Sequence, residues 1–179
     1  STGGSTSPVA GSPATTALDD GAHVITWVPP YHVAEAKQQL AASFAGTGMA
    51  DGLSYLALQF WITDGPGTRL DKVTEADITW FHDWARAHGV KIILCVHNNT
   101  GGDWNWPEAV RAFKDNREAF AQHLVSQVMT RDFDGVDLDL EGIIEATADD
   151  QQSYQALVET LSNALHPLGK ALTVDSGHG

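Results

Sequence analysis

The feature that most constrains this chain is an acidic stretch with a two-residue period, FDGVDLDLEG at residues 133–142. Successive side chains of a β-strand point to opposite faces, so we predict that Asp137, Asp139 and Glu141 share one face of a strand. Adjacent acids would then lie about 7 Å apart and the outer two about 13 Å apart. Residues 132–169 contain no lysine or arginine that could neutralise them locally.

Three interpretations of this stretch remain open from the residues alone. The first is a half-buried strand with its acids in water, although like charges repel and aspartate is depleted in strands. The second is a calcium loop, which needs a glutamate at its twelfth position, where this sequence has Ala148. The third, which we favour, is a catalytic strand whose acids point into a ligand cleft.

Composition narrows the classes of partner. The chain has 179 residues, which suits one domain, and its net charge of −13 argues against binding nucleic acid or an anionic membrane. A neutral polymer fits this charge better. The single cysteine, Cys95, excludes an internal disulfide, and its apolar neighbours predict a small buried hydrophobic residue. No run approaches the roughly 20 apolar residues of a membrane span.

The hydrophobic pattern predicts alternating strands and helices. Residues 1–20 are rich in Ser, Thr, Gly and Pro, which indicates a linker or leader and hints at an extracellular or cell-wall setting, and residues 21–179 form the predicted domain. Helix-length connections between strands imply a parallel α/β sheet. The predicted strands are 23–28, 53–62, 91–96, 136–141 and 171–174. The predicted helices are 33–45, 74–89, a segment after Asn116, and 149–165. Thr74 and Asp77 mark the start of the second helix.

Residues 134–141, DGVDLDLE, resemble the DGxDxDxE signature of glycoside hydrolase family 18, the chitinases and their relatives. The resemblance covers roughly residues 22–174. It implies a parallel (β/α)8 barrel of the TIM type, of which the chain contains about five strands and four helices. Residues 92–96 and 165–174 also look like the spore-cortex-lytic branch, whereas residues 95–98, CVHN, depart from the Ser-x-Gly-Gly form common on the third strand.

The resemblance implies retaining, substrate-assisted cleavage of β-1,4-linked N-acetylglucosamine in chitin, peptidoglycan or N-glycans. Glu141 would be the general acid and base. Asp139 would orient the substrate acetamido group, and Asp137 would share a proton with Asp139. We expect Asp137 and Asp139 to supply the like charge that raises the pKa of Glu141. No metal or other cofactor is expected, although His97 and His178 are the pair that would build a metal site.

Side chains near strand ends are candidates for substrate binding, because ligands of parallel α/β folds bind beyond the carboxyl ends of the strands. Aromatic rings there either stack on sugars or pack under loops, and the sequence leaves both open. Tyr31 and Trp61 also lie in such positions. The predicted substrate-binding residues are Trp27, Phe60, His97, Asn98, Trp104 and Trp106.

The resemblance also implies a tyrosine on strand six and a tryptophan on strand eight, beyond the five predicted strands. We therefore expect the 179-residue chain by itself to hydrolyse chitin oligomers poorly. Three explanations remain open: a truncated sequence, a separate polypeptide that supplies the other strands, or an open sheet that pairs with another copy. We favour a fragment of a larger barrel. The alternative function is a non-catalytic, lectin-like carbohydrate-binding protein.

Overall fold

The structure is a computed structural model that describes residues 23–43, 52–142 and 146–175. Three predicted features lie outside the described residues: the linker at 1–20, the glycines expected to end the first helix at 46–48, and His178. Within the described ranges, none of the helices combines the length and the apolar character needed to cross a membrane.

A curved, mostly parallel sheet forms the centre of the molecule. The strands are β1 (Val24–Val28), β2 (Leu53–Asp64), β3 (Gly67–Leu70), β4 (Lys91–His97), β5 (Asn99–Thr100), β6 (Asp103–Trp104), β7 (Gly135–Asp139) and β8 (Ala171–Val174). Five of them run parallel in the order β1-β2-β4-β7-β8. β3 pairs antiparallel with β2, and β5 and β6 form a separate hairpin.

The helices lie between successive parallel strands. They are α1 (Val33–Ala42), α2 (Glu75–His88), α3 (Trp106–Val110), α4 (Arg117–Thr130) and α5 (Ala148–Leu165). A π-helical turn, Arg111–Asp115, joins α3 to α4. The predicted α/β class with a parallel sheet is therefore confirmed.

Helix starts follow local sequence signals. Thr74 and Asp77 form the predicted capping box of α2, in which each side chain bonds the other residue's backbone N–H. Gly89 ends α2 with a φ of 67°, a conformation that favours glycine. Asn116 precedes α4 as predicted, but its side chain does not cap that helix. Its Nδ2 instead donates to the carbonyl of Arg111 at 2.9 Å and closes the π-helical turn.

The structure contains short elements that were not predicted, and one strand ends earlier than predicted. β3, the β5–β6 hairpin and α3 were not predicted, because two- to five-residue segments carry too little periodicity to detect. The predicted fourth strand reached Glu141, whereas β7 ends at Asp139. The backbone hydrogen bonds between β4 and β7 stop there because the N–H and C=O of Glu141 bond the side chain of Asn98 instead.

The two faces of the sheet have different roles. The face toward the helices is a continuous apolar core, which includes Leu56, Leu94, Val136, Leu138, Phe81, Phe120 and Leu157. The opposite face carries a small buried cluster of Ala57, Ile93 and Cys95, which confirms the burial predicted for Cys95. Side chains alternate between the faces, so Asp137 and Asp139 lie on this second face, beside Cys95 and His97 of β4.

The second face is concave. Trp27 of β1 donates its Nε1 hydrogen to Oδ2 of Asp137 on β7 at 2.8 Å. These strands are three positions apart in the sheet, which would separate them by about 14 Å if the sheet were flat. The direct contact requires the sheet to curl around this face, as the strands of a barrel do.

Candidate active site

The start of the acidic motif fixes β7 between its neighbours. A Cβ atom on Gly135 would lie 2.3 Å from the carbonyl oxygen of Ala171, so only glycine allows β8 to approach this closely. The carboxylate of Asp134 accepts the backbone N–H of Ile92 at 2.8 Å and the guanidinium of Arg86 at 2.7 Å. Gly135 and Asp134 therefore position β7, and neither contributes a carboxyl group to the cleft.

Asp137 is held from both sides. Its Oδ1 accepts the hydroxyl of Thr173 at 2.5 Å, and its Oδ2 accepts the indole of Trp27 at 2.8 Å. The side chain is almost completely buried. Both oxygens are occupied by donors from strands on either side, so the rotamer of Asp137 is fixed by the fold.

Asp139 is buried and only half satisfied. Its Oδ2 accepts the side-chain amide of Gln59 at 2.5 Å, while its Oδ1 is buried without a hydrogen-bond partner. Burial is the main cause that raises the pKa of Asp139 to about 6, and the nearby charges of Glu141, Asp175 and Asp137 raise it further. Asp139 therefore exchanges a proton near neutral pH and offers a free acceptor to a ligand.

Glu141 lies half-buried just beyond β7, and its backbone is held by Asn98. The carboxamide of Asn98 accepts the N–H of Glu141 at 2.9 Å and donates to its carbonyl at 2.6 Å. Gly142 follows with a φ of 148°, and a Cβ there would lie 2.7 Å from the Cβ of Trp106. The two hydrogen bonds from Asn98 and the backbone conformation of Gly142 together set the direction of the Glu141 side chain.

A third carboxyl group joins this end of the site from β8. One oxygen each of Asp139, Glu141 and Asp175 lies within 4.8 Å of the other two. Burial raises the pKa of Glu141, and the charge of Asp175 adds to the effect. The predicted like-charge repulsion between Asp139 and Glu141 is present and raises the pKa of Asp139, whereas Asp175, which was not predicted, is the charge that raises the pKa of Glu141. The raised pKa values of Asp139 and Glu141 favour their protonated forms, which reduces the repulsion within this cluster.

The remaining predicted binding residues fall into two groups. His97, Trp104 and Tyr31 line an open groove beside the acids, together with Gln59. His97 is buried, with Nε2 at 3.8 Å from Asp71, and burial lowers its pKa. Trp27 stays 44% exposed on the concave face although its indole is bonded.

Phe60, Trp61, Trp106 and Asn98 do not present their side chains to the cleft. Phe60 and Trp61 are fully buried in the apolar core, where Phe60 packs on Phe81. Trp106 packs on Phe113 beneath the backbone of Gly142. The rings of Phe60, Trp61 and Trp106 therefore serve in packing. The carboxamide of Asn98 is fully used in its two hydrogen bonds to the backbone of Glu141. Phe60 and Trp106 are therefore no part of the site proposed below.

Three polar residues that touch the acids escaped sequence analysis: Gln59, Thr173 and Asp175. Gln59 interrupts an apolar strand, and Thr173 and Asp175 are spaced by two residues along the last predicted strand and its end. The sequence signal for these residues is a polar side chain at an alternate position of an otherwise apolar strand. Using that signal requires knowing which alternate positions of each strand face the concave side of the sheet.

A curved parallel sheet with clustered carboxyl groups at the carboxyl ends of its strands defines an α/β protein of the TIM-barrel type with an acid-lined cleft. The model of Glycosyl hydrolases family 18 matches residues 28–176, and the chain belongs to this family. This result confirms the resemblance found in the sequence.

Solved structures with the same fold are chitinases and their relatives. A chitinase from Chromobacterium violaceum has a TM-score of 0.70 at 18% identity over 86% of this chain and 45% of its own. The spore cortex-lytic enzyme SleL of Bacillus cereus has a TM-score of 0.67 at 15% identity, over 84% of this chain and 34% of its own. A Group II chitinase domain of Ostrinia furnacalis, solved with penta-N-acetylchitooctaose, has a TM-score of 0.64 at 16% identity over 84% and 42%.

The chain spans less than half the length of these structures, so the structure contains part of the barrel. Among curated proteins, no relative matches the chain.

Proposed function

We propose that this protein is a glycoside hydrolase that cleaves β-1,4-linked N-acetylglucosamine polymers with retention of configuration, through substrate-assisted catalysis. The single observation that carries the proposal is the pair formed by Asp139 and Glu141. One carboxyl group is buried with an unpartnered oxygen, and the next is held at the strand end with a raised pKa. The family membership of the chain supports the same chemistry.

In the first step, Glu141 donates its proton to the glycosidic oxygen as the bond from C1 to that oxygen breaks. The acetamido oxygen of the same sugar attacks C1 and forms an oxazolinium intermediate. Glu141 must hold a proton near neutral pH for this step. Burial and the charge of Asp175 raise its pKa in the required direction.

Asp139 orients the acetamido group during this step. Its free Oδ1 accepts the acetamido N–H, which turns the acetamido oxygen toward C1 and offsets the positive charge that develops on the ring. Gln59 holds the other oxygen of Asp139, and Trp27 and Thr173 hold Asp137 behind it. Asp137 and Asp139 are therefore supported by side chains from three other strands, β1, β2 and β8.

In the second step, the Glu141 carboxylate takes a proton from water, whose oxygen adds to C1 and reopens the oxazolinium ring. The product keeps the original anomeric configuration because C1 is inverted twice. We place the protein outside the cell, where such polymers are found and where a Ser/Thr/Gly/Pro-rich segment such as residues 1–20 commonly joins modules.

The test compares a chitin pentasaccharide with cellopentaose, which lacks the acetamido groups. The proposal predicts hydrolysis of the first alone, with the β-anomer as the initial product in a proton NMR time course. Equal hydrolysis of both sugars, or an initial α-anomer, would contradict it.

A carbohydrate-binding protein without activity is the second candidate function. The observation that favours it is that the exposed rings of Tyr31 and Trp104 line a groove beside the acids, which a sugar-binding surface needs with or without catalysis. Retention on insoluble chitin without release of soluble sugar would favour binding over hydrolysis.

A further inference from the structure

A groove of about 780 Å³ lies beside the acidic site, at the carboxyl edge of the sheet. It is bounded by the segment after β1, by the end of the β2–β3 hairpin, and by the β5–β6 hairpin. Gln59 lines the groove and also donates to Asp139, so one side chain links the groove to the acidic site. A volume of this order suits a small ligand or a few sugar rings.

The groove has exposed aromatic surfaces. Tyr31 is 77% exposed and Trp104 is 37% exposed, and both line it. Exposed aromatic rings at the edge of a cleft gain by covering an apolar sugar face, which buries their own apolar surface. The shape and lining of the groove therefore suit an extended saccharide that passes through the acidic site.

The charge of the groove differs from that of the molecule as a whole. The chain carries −13, yet the groove is lined by two cations, Arg69 and Lys72, against one carboxylate, Asp71. Among the ion pairs of the described residues, neither cation has a carboxylate partner within 4.0 Å, and Asp71 lies toward His97. Lys72 is also held at a φ of 54°, a conformation uncommon for a residue other than glycine.

Building on the proposed hydrolase function, we propose that this groove selects an acidic amino-sugar polymer, in which Arg69 and Lys72 bind a carboxylate on a sugar next to the one cleaved. A chain of N-acetylglucosamine alternating with N-acetylmuramic acid has this chemistry where the lactyl carboxyl of muramic acid is free and not amide-linked to a stem peptide. The polymer is thus a peptidoglycan glycan strand without its stem peptides, rather than chitin.

The physical reason is that the two cations of the groove locally offset the negative charge of the chain. A polyanion approaching a chain of −13 is repelled at long range, so its binding requires a site where cations outnumber acids. The guanidinium of Arg69 presents paired donors that match a carboxylate, and Lys72 adds a flexible ammonium. A neutral chitin chain can accept hydrogen bonds from these groups but forms no ion pair with either, so the two cations favour the acidic polymer.

The test measures binding, so that it is independent of turnover. The Glu141→Gln form of the protein is titrated with two tetrasaccharides, one of N-acetylglucosamine alone and one alternating with N-acetylmuramic acid. Tryptophan fluorescence reports occupancy, because Trp104 lines the groove. The same titrations are repeated with Arg69→Gln/Lys72→Gln, and with Lys91→Gln/Lys170→Gln as the control. The control removes equal charge from a cavity at the amino ends of the strands.

We expect the acidic tetrasaccharide to bind more tightly than the neutral one. The groove variant should weaken acidic binding about tenfold or more, consistent with the loss of a charge-assisted contact, while neutral binding changes less than about threefold. Added NaCl should weaken acidic binding alone. Equal affinity for the two sugars, no binding of either, or equal losses for both in the groove variant would overturn the inference. Selective acidic binding without hydrolysis, when the unsubstituted protein is assayed with its complete barrel, would refute the proposed hydrolase and leave the selectivity standing.

Discussion

The side chain of Asn98 holds the backbone of Glu141 by two hydrogen bonds, one to its N–H at 2.9 Å and one to its carbonyl at 2.6 Å. Asn98 directly follows β4, and Glu141 lies two residues past the end of β7. The Asn98 side chain therefore takes the place of backbone ladder hydrogen bonds where β4 and β7 separate. Glu141, the proposed acid, is held by the residue that follows β4 as well as by its own strand, β7.

We predict that Asn98→Ala lowers kcat by about 10- to 100-fold with little change in KM, because a shift of the Glu141 backbone displaces the proton donor more than the bound sugar. Loss of two buried hydrogen bonds should also lower the unfolding free energy by about 1–3 kcal/mol. The control is Asn116→Ala, whose side chain bonds a backbone carbonyl remote from the acids. Equal effects of both variants on kcat would contradict the positioning role.

Asp175→Asn should shift the pH dependence of hydrolysis. The charge of Asp175 helps to raise the pKa of Glu141, so its removal lowers that pKa and less Glu141 is protonated at neutral pH. The alkaline limb of kcat/KM should move to lower pH. Glu159→Gln, on the exposed face of α5, serves as a control that should leave the profile unchanged. An alkaline limb that stays in place in Asp175→Asn would show that another group sets it.

Asp139→Asn should remove activity and stabilise the fold at neutral pH. The pKa of Asp139 is raised from 3.8 to about 6, so the folded state holds this proton more tightly than the unfolded state does. That contribution is complete below the unfolded pKa and is lost as pH rises through about 6. Asparagine does not titrate.

Relative to the unsubstituted protein, Asp139→Asn should therefore gain roughly 2–3 kcal/mol of unfolding free energy between about pH 4 and pH 7. Urea unfolding at several pH values measures this difference. Asp83→Asn, which replaces a side chain that is 74% exposed, controls for the exchange of an aspartate for asparagine as such. A difference in unfolding free energy between the two proteins that stays constant with pH would mean that folding does not change the pKa of Asp139.

Gly135→Ala should destabilise the protein by about 2–4 kcal/mol, because its Cβ would overlap the carbonyl of Ala171 and push β7 from β8. In Gly67→Ala, the new Cβ would meet His123 at an ordinary 3.7 Å, which makes it a matched control. Thermal unfolding of the two variants compares them directly. Similar melting temperatures would contradict the close approach of the strands.

The parallel sheet was predictable from sequence because each long element carries its own local signal. The run at 91–96 is continuously apolar, and Thr74 with Asp77 marks a helix start, so neither needed tertiary information. β3 and the β5–β6 hairpin depend on contacts with their neighbours and have no such signal. These same hairpins form the groove, so the sequence did not reveal it.

The acidic row was predictable for the same reason, since its alternation fixes which residues share a face. Which neighbours reach that row depends on the curvature of the sheet. Trp27 contacts Asp137 across two intervening strands, and Asp175 approaches Glu141 from β8. Phe60 was misjudged because an irregular register between Leu58 and Trp61 places both Phe60 and Trp61 in the helix-facing core.

The central claim is that Glu141 donates and accepts the proton, and leaving-group dependence tests it most directly. The rate of Glu141→Gln is measured on a chitin pentasaccharide and on a nitrophenyl glycoside of N-acetylglucosamine oligomers, whose leaving group needs no proton. We predict a loss of about 10²- to 10⁴-fold on the pentasaccharide and a much smaller loss in glycosidic cleavage of the nitrophenyl substrate. Undiminished hydrolysis of the pentasaccharide, or equal losses on both substrates, would contradict this role for Glu141.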